Sequence, residues 1–293
     1  MLITEKLEQY DFASSEKVLI EYILKKKELI KDKTTKEIAK ETFTSASTLV
    51  RIAQKIGFSG WNELKESYLQ ELKYLNSHFS HIDANIPFDK DDSLVSIANK
   101  LAILNTEAIN DTLSLITHND LQNAIKIISE SSYISLFAVS NNLLISQEFK
   151  YNMARINKRV EIPNQGDLDF TSYLIDKNSC AIVISYSGET KDLIKIIKTL
   201  KGRKIKIIAI TSIGDNSLSL QADCILRICT REKLYSKIAT FTTTNSIQYL
   251  LDVLYSCIFA LEYDKNLNLR IETSKYVESG RSSTVNIIKE KED

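Results

Sequence analysis

The segment Cys180–Thr190, CAIVISYSGET, sets the interpretation of the whole chain. Its first half, Ala181–Ile184, is a continuous apolar run rich in β-branched residues, which is typical of a parallel strand covered on both faces. Beyond Thr190 the apolar residues return at helical spacing, at Leu193, Ile194, Ile197 and Leu200. We therefore predict a buried strand, a polar loop and a helix in direct succession.

The loop inside this segment has the composition of an anion site. Ser185, Ser187 and Thr190 bring three hydroxyls close together, and Gly188 lacks the Cβ that would keep a ligand away from the backbone. The free N–H groups of the following helix start would point back at the loop, and such groups bind anions. The segment thus predicts a site for a negatively charged ligand.

Other short apolar runs alternate with helical segments around this one. Strands are predicted at 133–139, 181–185, 205–211 and 224–228, with a short edge strand at 160–162. Such alternation implies right-handed crossovers and a doubly wound α/β domain with a parallel sheet. Ligands of these sheets bind at the carboxyl ends of the strands, so the loops there are the candidate site.

Two further loops at the carboxyl ends are also rich in hydroxyls and amides. Ser140 and Asn141 follow the first predicted strand, and Thr211 and Ser212 follow the third. These groups can orient sugar hydroxyls and phosphate oxygens without adding charge. They are equally common as turn residues and helix caps, and for Thr211 and Ser212 both interpretations remain open.

The first 75 residues predict a separate helical domain. Ser14 and Ser15 are suited to begin one helix, and Thr34–Glu37 matches a capping box at the start of a second. A third helix, capped by Thr44 or Ser45, runs to Lys55 and is closed by a glycine. Two short helices joined by a tight turn are the outline of a helix-turn-helix.

The third helix separates an apolar face from a polar face. Its apolar face consists of Leu49, Ile52, Ala53 and Ile56. Short hydroxyls at a helix start, with arginine and glutamine further along, can reach phosphates and base edges. The same pattern also fits an ordinary solvated face. The candidate DNA-binding residues are Thr44, Ser45 and the polar face, which comprises Ser47, Thr48, Arg51, Gln54 and Lys55 and carries no acidic residue.

Composition excludes several classes of protein. The chain of 293 residues has 38 basic and 38 acidic side chains, so any contact with nucleic acid must be local. The four cysteines lack the close pairing of metal sites and are predicted to be reduced core residues. No apolar run approaches the roughly 18 residues of a membrane span. We expect a cytoplasmic protein that contacts no membrane and needs no cofactor or metal.

The boundaries between the domains follow from a loss of periodicity. Residues 76–92 carry Pro87, His78 and His81 and are predicted to be a linker, with the α/β domain at 93–275 and a tail at 276–293. The two histidines have no third ligand nearby, so they are interpreted as solvated residues rather than a metal site.

Residues 12–69 resemble the N-terminal DNA-binding domain of the RpiR family, bacterial regulators that respond to phosphorylated sugars. The resemblance lies in the motifs SEK at 15–17, TKEIA at 35–39, STLVR at 47–51 and KIGFSGWNELK at 55–65. It implies double-stranded operator DNA as a partner. The family usually has a glycine in the turn, where this chain has Phe43, so the turn is expected to differ in length or shape.

Residues 120–262 resemble a sugar isomerase (SIS) domain, a doubly wound, flavodoxin-like fold that binds phosphosugars. The sequence SYSGET at 185–190 matches the family loop Ser-x-Ser-Gly-x-Thr in full. The resemblance implies phosphate contacts from Ser185, Ser187 and Thr190. Ser140 and Asn141 occupy the contact positions of the first loop, which in this chain has no glycine.

The resemblance leaves a choice between a regulator and an enzyme. All three histidines precede the first strand of the sheet, and Glu232 is the one carboxylate placed to act as a base. We interpret Glu232 as an acceptor for sugar hydroxyls or as a simply exposed side chain, and the chain as a regulator without catalytic residues. The alternative is a phosphosugar-binding isomerase with an accessory helical domain. SIS domains of the family associate, so a homodimer or a dimer of dimers is expected, with the helix 241–261 as a core or dimer element.

Overall fold

The computed structural model describes residues 1–75 and 82–289. A helical domain comes first. Its helices are α1 (Ile3–Gln9), α2 (Ser14–Lys26), α3 (Thr35–Glu41), α4 (Ala46–Lys55) and α5 (Trp61–Leu75). The predicted helices are present, and the prediction of an all-helical N-terminal domain is confirmed.

The first helix is an element that periodicity did not indicate. Its first turn is held by a distant carboxylate, because Glu71 of α5 accepts bonds from the backbone N–H groups of Ile3, at 2.6 Å, and Thr4, at 2.9 Å. The hydroxyl of Thr4 donates to the same carboxylate at 2.6 Å. A seven-residue helix is marginal by itself, so tertiary contacts determine whether it forms.

The second predicted helix begins as its capping box requires. The Thr34 hydroxyl accepts from the backbone N–H of Glu37 at 3.3 Å, and the Glu37 carboxylate accepts from the backbone N–H of Thr34 at 2.8 Å. Trp61 lies in the domain core. That core is formed by α1 to α5, with Leu19, Ile23, Ile38, Leu49, Ile52, Leu64 and Tyr68 among its most buried side chains.

The turn between α3 and α4 keeps a compact geometry without glycine. Phe43 has φ 52°, in the left-handed region that glycine normally occupies. The N–H of Thr44 donates to the carbonyl of Ala39 at 2.9 Å, and the N–H of Phe43 to that of Lys40 at 3.4 Å. This pair of bonds is a Schellman closure. Phe43 thus adopts the conformation that glycine favours, and the turn closes with the hydrogen bonds of a glycine-ended helix.

The second domain is built on one parallel sheet. Its strands are β1 (Ile134–Phe137), β2 (Val160–Glu161), β3 (Cys180–Ile184), β4 (Lys206–Thr211) and β5 (Cys224–Arg227). Their order is β2-β1-β3-β4-β5, and all four pairings are parallel. The strand order reverses between β1 and β3, so the loops after these two strands diverge and open a crevice. The predicted doubly wound domain is confirmed.

Helices cover both faces of this sheet. They are α6 (Leu94–Leu115), α7 (His118–Glu130), α8 (Asn141–Ala154), α9 (Leu168–Leu174), α10 (Lys191–Gly202), α11 (Phe241–Leu261) and α12 (Tyr263–Val277). Alternate residues of β3 pack on opposite sides: Cys180, Ile182 and Ile184 belong to the core under α7, α8 and α11. Ala181 and Val183 belong to the core under α9 and α10. Burial raises the pKa of the Cys180 thiol to about 11, which fits its role as a packed core residue.

Helix α11 belongs to the core of the chain. Its apolar stripe of Ile247, Leu250, Leu251, Leu254 and Ile258 is buried against the sheet and α8. The structure thus favours the core alternative for this stripe, and a dimer would use other surfaces. Among residues 1–75 and 82–289, no helix is long and apolar enough to cross a membrane.

The second half of the predicted linker is packed onto the α/β domain. Asn85 is buried, its side-chain oxygen accepts from the backbone N–H of Lys233 at 2.7 Å, and its carbonyl accepts from Ile238 N–H at 2.8 Å. The predicted solvated pair, His78 and His81, lies outside the described residues. The described part of the linker is therefore a fixed attachment to the segment that precedes α11.

Candidate functional site

The loop after β3 is held by its own hydroxyls. Ser185 is buried, and its Oγ lies 2.9 Å from Oγ1 of Thr190 across the loop. Oγ of Ser187 accepts from the N–H of Glu189 at 3.1 Å. The three hydroxyls predicted from the sequence are therefore gathered in one loop, with Ser187 and Thr190 partly exposed to a ligand.

Helix α10 begins directly after this loop, and its first turn is left open. Thr190 is the N-cap residue, but its side chain makes no capping bond. The N–H groups at the start of the twelve-residue helix are thus available to an anion, and the helix dipole favours negative charge there. This geometry supports the predicted anion site.

Gly188 has a structural reason to be glycine. Its φ is 67°, and a methyl group added to its Cα would lie 2.0 Å from Oδ1 of Asn216. The space that the sequence suggested for an approaching ligand is filled by this asparagine. Oδ1 of Asn216 also accepts from the N–H of Ser219 at 2.9 Å, so the side chain is held in place.

The loop after β1 provides the other side of the crevice. Ser140 has φ 52° and ψ −131°, a conformation that favours glycine and is strained for other residues. The loop therefore has the backbone shape of a glycine loop without containing glycine. Asn141 donates from Nδ2 to Oγ1 of Thr240 at 3.3 Å and Oγ1 of Thr244 at 3.0 Å. These two threonines of the α11 start were not predicted, since the sequence does not show which helix faces β1.

Glu232 caps the N-terminus of α11 with its side-chain carboxylate. Its Oε1 accepts from the N–H and hydroxyl of Thr242, at 2.7 and 2.8 Å, and from the N–H of Thr243 at 3.1 Å. Its Oε2 accepts from the hydroxyl of Thr243 at 2.9 Å and from Nζ of Lys237 at 3.0 Å. The side chain is buried, and these bonds fill the acceptor capacity of a carboxylate. A bond to a sugar hydroxyl would require the exchange of one of them.

Tyr186 joins the β3 loop to the Glu232 segment. Its hydroxyl donates to the carbonyl of Glu232 at 2.7 Å and accepts from the N–H of the same residue at 3.0 Å. Burial raises the pKa of this phenol well above its usual range. Tyr186 occupies a variable position of the motif Ser-x-Ser-Gly-x-Thr, so the motif alone does not predict this link.

The third loop serves mainly to support the others. Thr211 is buried, and its Oγ1 accepts from Nδ2 of Asn216 at 3.0 Å. Ser212 donates from its N–H to the carbonyl of Tyr186 at 3.1 Å. For these two residues the structure favours the turn interpretation over ligand contact.

The polar face of α4 differs from the prediction at Thr48. Thr48 is only 3% exposed, so the prediction that it faces outward is wrong. Its Oγ1 lies 2.9 Å from Oγ of Ser45 and accepts from Nη2 of Arg51 at 3.1 Å. Both partners are exposed residues three positions away along the chain, so Thr48 helps to position Arg51. Ser45, Ser47, Arg51 and Gln54 are exposed.

Lys55 is not a free cation on this face. Its Nζ lies 2.7 Å from Oε2 of Glu16, a carboxylate that is almost completely buried on α2. The bond from Lys55 lowers the pKa of the Glu16 carboxyl below 4.5, despite its burial. The expectation of a face without acidic neighbours therefore has to be corrected, because sequence spacing within α4 could not reveal a partner on α2.

The helical domain contacts the ligand domain beside the β3 loop. Lys6 of α1 forms an ion pair with Asp215, and the backbone N–H of Asp215 donates to the carbonyl of Met1 at 3.0 Å. Two residues further along, Ser217 donates to the Glu189 carboxylate from its N–H, at 2.7 Å, and its hydroxyl, at 2.6 Å. We call residues 214–218 the bridging loop, because it bonds to both domains.

Comparison with solved structures agrees with this two-domain fold. The Vibrio vulnificus NanR protein complexed with ManNAc-6P is similar over 96% of this chain and 100% of its own, with 19% identity and a TM-score of 0.59. The sugar isomerase domain of the RpiR transcription factor from Sphaerobacter thermophilus covers 61% of this chain and 98% of its own, with 14% identity and a TM-score of 0.54. A putative sugar-phosphate isomerase from Listeria monocytogenes is similar over 64% of this chain and 99% of its own, with 16% identity and a TM-score of 0.54.

Family models identify both domains from the sequence. Residues 1–74 match the helix-turn-helix domain of the rpiR family, and residues 127–255 match the SIS domain. The first match contains the helix-turn-helix formed by α3 and α4, and the second contains the whole parallel sheet. The chain therefore belongs to the RpiR family of transcriptional regulators, with an N-terminal DNA-binding domain and a C-terminal sugar-phosphate-binding domain.

Proposed function

We propose that this regulator binds operator DNA through α3 and α4, and that a phosphorylated sugar in the crevice of the SIS domain controls its affinity for that DNA. The protein acts on genes of carbohydrate metabolism in the cytoplasm. Its partners are double-stranded operator DNA and the phosphorylated sugar.

The phosphate group fits the start of α10. Ser185, Ser187 and Thr190 surround this helix start, and no side chain caps it. Ser140 and Asn141 face the crevice from β1, and their polar groups suit the hydroxyls of the sugar. Glu232 acts in this scheme mainly by fixing the first turn of α11, from which Thr240 and Thr244 meet Asn141.

One observation carries the proposed coupling: the bridging loop holds both the ligand loop and the DNA-binding domain. Asn216 and Ser217 contact Gly188 and Glu189, whereas Asp215 pairs with Lys6. A ligand that moves the β3 loop therefore changes contacts made by α1. It can shift DNA affinity only as far as it binds the two domain arrangements differently.

A homodimer is the assembly that matches the two-fold symmetry of a palindromic operator. A homodimer would present two α4 helices to half-sites about one turn of DNA apart, or a multiple of it, and a pair of such dimers would bind two operators. The apolar stripe of α11 is used within the chain, so the dimer contact uses other surfaces.

The chemistry of the site favours binding of the sugar phosphate without catalysis. The Glu232 carboxylate already accepts its full set of hydrogen bonds. His118 lies near the amino ends of the strands, because the carbonyl of Asp120, two residues further on, accepts from the Cys224 thiol at the start of β5. Incubation with hexose phosphates should give no aldose–ketose conversion by the purified protein. Measurable turnover would favour the isomerase alternative.

The central test is a DNA titration. The purified full-length protein is titrated against the DNA upstream of its own gene, alone and with a panel of sugar phosphates that includes ManNAc-6P. Inorganic phosphate and the unphosphorylated sugars are the controls. We expect one sugar phosphate to change the DNA affinity while its unphosphorylated form does not. Absence of binding to any upstream DNA would contradict the proposal that this protein regulates transcription.

A further inference from the structure

Phe43 stands out on the surface of the DNA-binding domain. Its side chain is 97% exposed, the highest fraction among the exposed large hydrophobic side chains of the described residues. It lies in the turn that leads from α3 into α4, and its ring is absent from the cores of both domains. Packing against residues 1–75 and 82–289 therefore gives no reason for a phenylalanine here.

The backbone at this position gives no reason either. With φ 52°, Phe43 has the left-handed conformation that closes α3, and glycine would adopt it without strain. A phenylalanine is strained at this point, and its ring joins none of the hydrophobic clusters in the described part of the chain. The combination indicates a partner outside the chain.

The position of the ring indicates which partner. Thr44 and Ser45 follow directly, and Ser45 is the N-cap of α4. In a helix-turn-helix the start of the second helix enters the major groove, so the turn that immediately precedes this start lies close to the DNA. We propose that Phe43 contacts the C5-methyl group of a thymine in the major groove, next to the bases that α4 reads. This inference rests on the proposed binding of operator DNA.

The chemistry of the ring restricts what it can recognise. A phenyl group neither donates nor accepts ordinary hydrogen bonds and carries no charge, so it adds nothing to phosphate contacts. The thymine methyl is the apolar group that the major groove displays, and apolar side chains read it by direct contact. The neighbouring polar groups of Ser47 and Arg51 remain for phosphates and for hydrogen-bonding base edges. Phe43 would therefore add specificity for one thymine.

The test compares the protein with and without the ring on DNA with and without the methyl group. Duplexes are enriched from a random-sequence library by the full-length wild-type protein, then synthesised with deoxyuridine replacing thymine at each position in turn. We expect the wild-type protein to lose affinity about fourfold at one position, which is the effect of one buried methyl group. Phe43→Ala should bind more weakly than wild type and lose its response to deoxyuridine at that same position.

Two further variants separate this contact from folding. Phe43→Gly should raise the melting temperature by removing the strain, yet weaken DNA binding as Phe43→Ala does. Leu29→Ala, which removes another exposed apolar side chain of the same domain, should leave DNA binding unchanged. Equal affinity of wild type and Phe43→Ala, or an unchanged response to deoxyuridine, would overturn the thymine contact alone. Failure to enrich any duplex would overturn the proposed DNA binding as well.

Discussion

Lys6, on the first helix of the DNA-binding domain, forms an ion pair with Asp215, on the loop that supports the ligand site. The two side chains are 22% and 37% exposed, so solvent weakens their attraction and the pair contributes at most about 1 kcal/mol. A contribution of this size suits a regulatory contact, because a ligand can break it with the free energy available from binding one small molecule.

The first prediction concerns this ion pair. Asp215→Ala should change the ratio of DNA affinities with and without the sugar phosphate by up to about fivefold, which corresponds to about 1 kcal/mol. In a double-mutant cycle, Lys6→Ala should add little to Asp215→Ala, because each variant removes the same contact. The control is Asp169→Ala, which removes an exposed ion pair with Lys195 inside the ligand domain. Fully additive effects would show that the pair does not couple the domains.

Arg51 is the exposed cation on α4 that we expect to contact DNA. Arg51→Ala should weaken DNA binding and reduce the slope of log affinity against log salt by about 1, while sugar-phosphate binding is unchanged. Salt-dependent titrations by fluorescence anisotropy measure the slope. Lys17→Ala, an exposed cation on α2, is the matched control and should leave the slope near its original value. Equal loss of DNA and sugar-phosphate binding would contradict separate sites.

Ser187 offers a partly exposed hydroxyl in the ligand loop. Ser187→Ala should weaken sugar-phosphate binding by roughly 1 kcal/mol, about fivefold, because one hydrogen bond to the phosphate is lost. DNA binding without ligand should not change. Isothermal titration calorimetry measures the first quantity and anisotropy the second. Ser129→Ala, on the exposed face of α7, serves as the control. A normal ligand affinity in Ser187→Ala would exclude this hydroxyl from the site.

The Glu16–Lys55 pair predicts a specific pH dependence of stability. Because the folded-state pKa of Glu16 is lowered, the pair stabilises the fold above about pH 4.5, and this contribution is lost as the pH falls through the folded pKa. Lys55→Met leaves a buried carboxylate without its partner and should cost about 1–3 kcal/mol at neutral pH. The difference in free energy of unfolding between wild type and Lys55→Met should shrink on acidification. A difference that stays constant with pH would contradict the ion pair.

The sequence predicts local structure and the fold class well, as particular residues show. Thr34 and Glu37 form a capping box whose partners lie within one turn, and the β-branched run before Ser185 is typical of a buried strand and forms one. These features depend on neighbours a few residues apart. The rule of right-handed crossovers gives the handedness of the connections between parallel strands but not the order of the strands.

Contacts between distant residues were beyond such reasoning. Lys55 pairs with Glu16, and α1 depends on Glu71, 67 residues away from Thr4. Each depends on how elements pack in three dimensions, which periodicity does not specify. The same holds for the meeting of Asn141 with Thr240 and Thr244, about a hundred residues apart in the chain.

The contact between Gly188 and Asn216 gives the glycine of the Ser-x-Ser-Gly-x-Thr motif a second role in this molecule. Because the asparagine fills the space of the missing side chain, any larger residue at 188 would push on the bridging loop and, through it, on α1. A substitution of Gly188 in the β3 loop should therefore alter gene regulation even in the absence of any sugar. We therefore expect position 188 to influence DNA binding although it lies in the SIS domain.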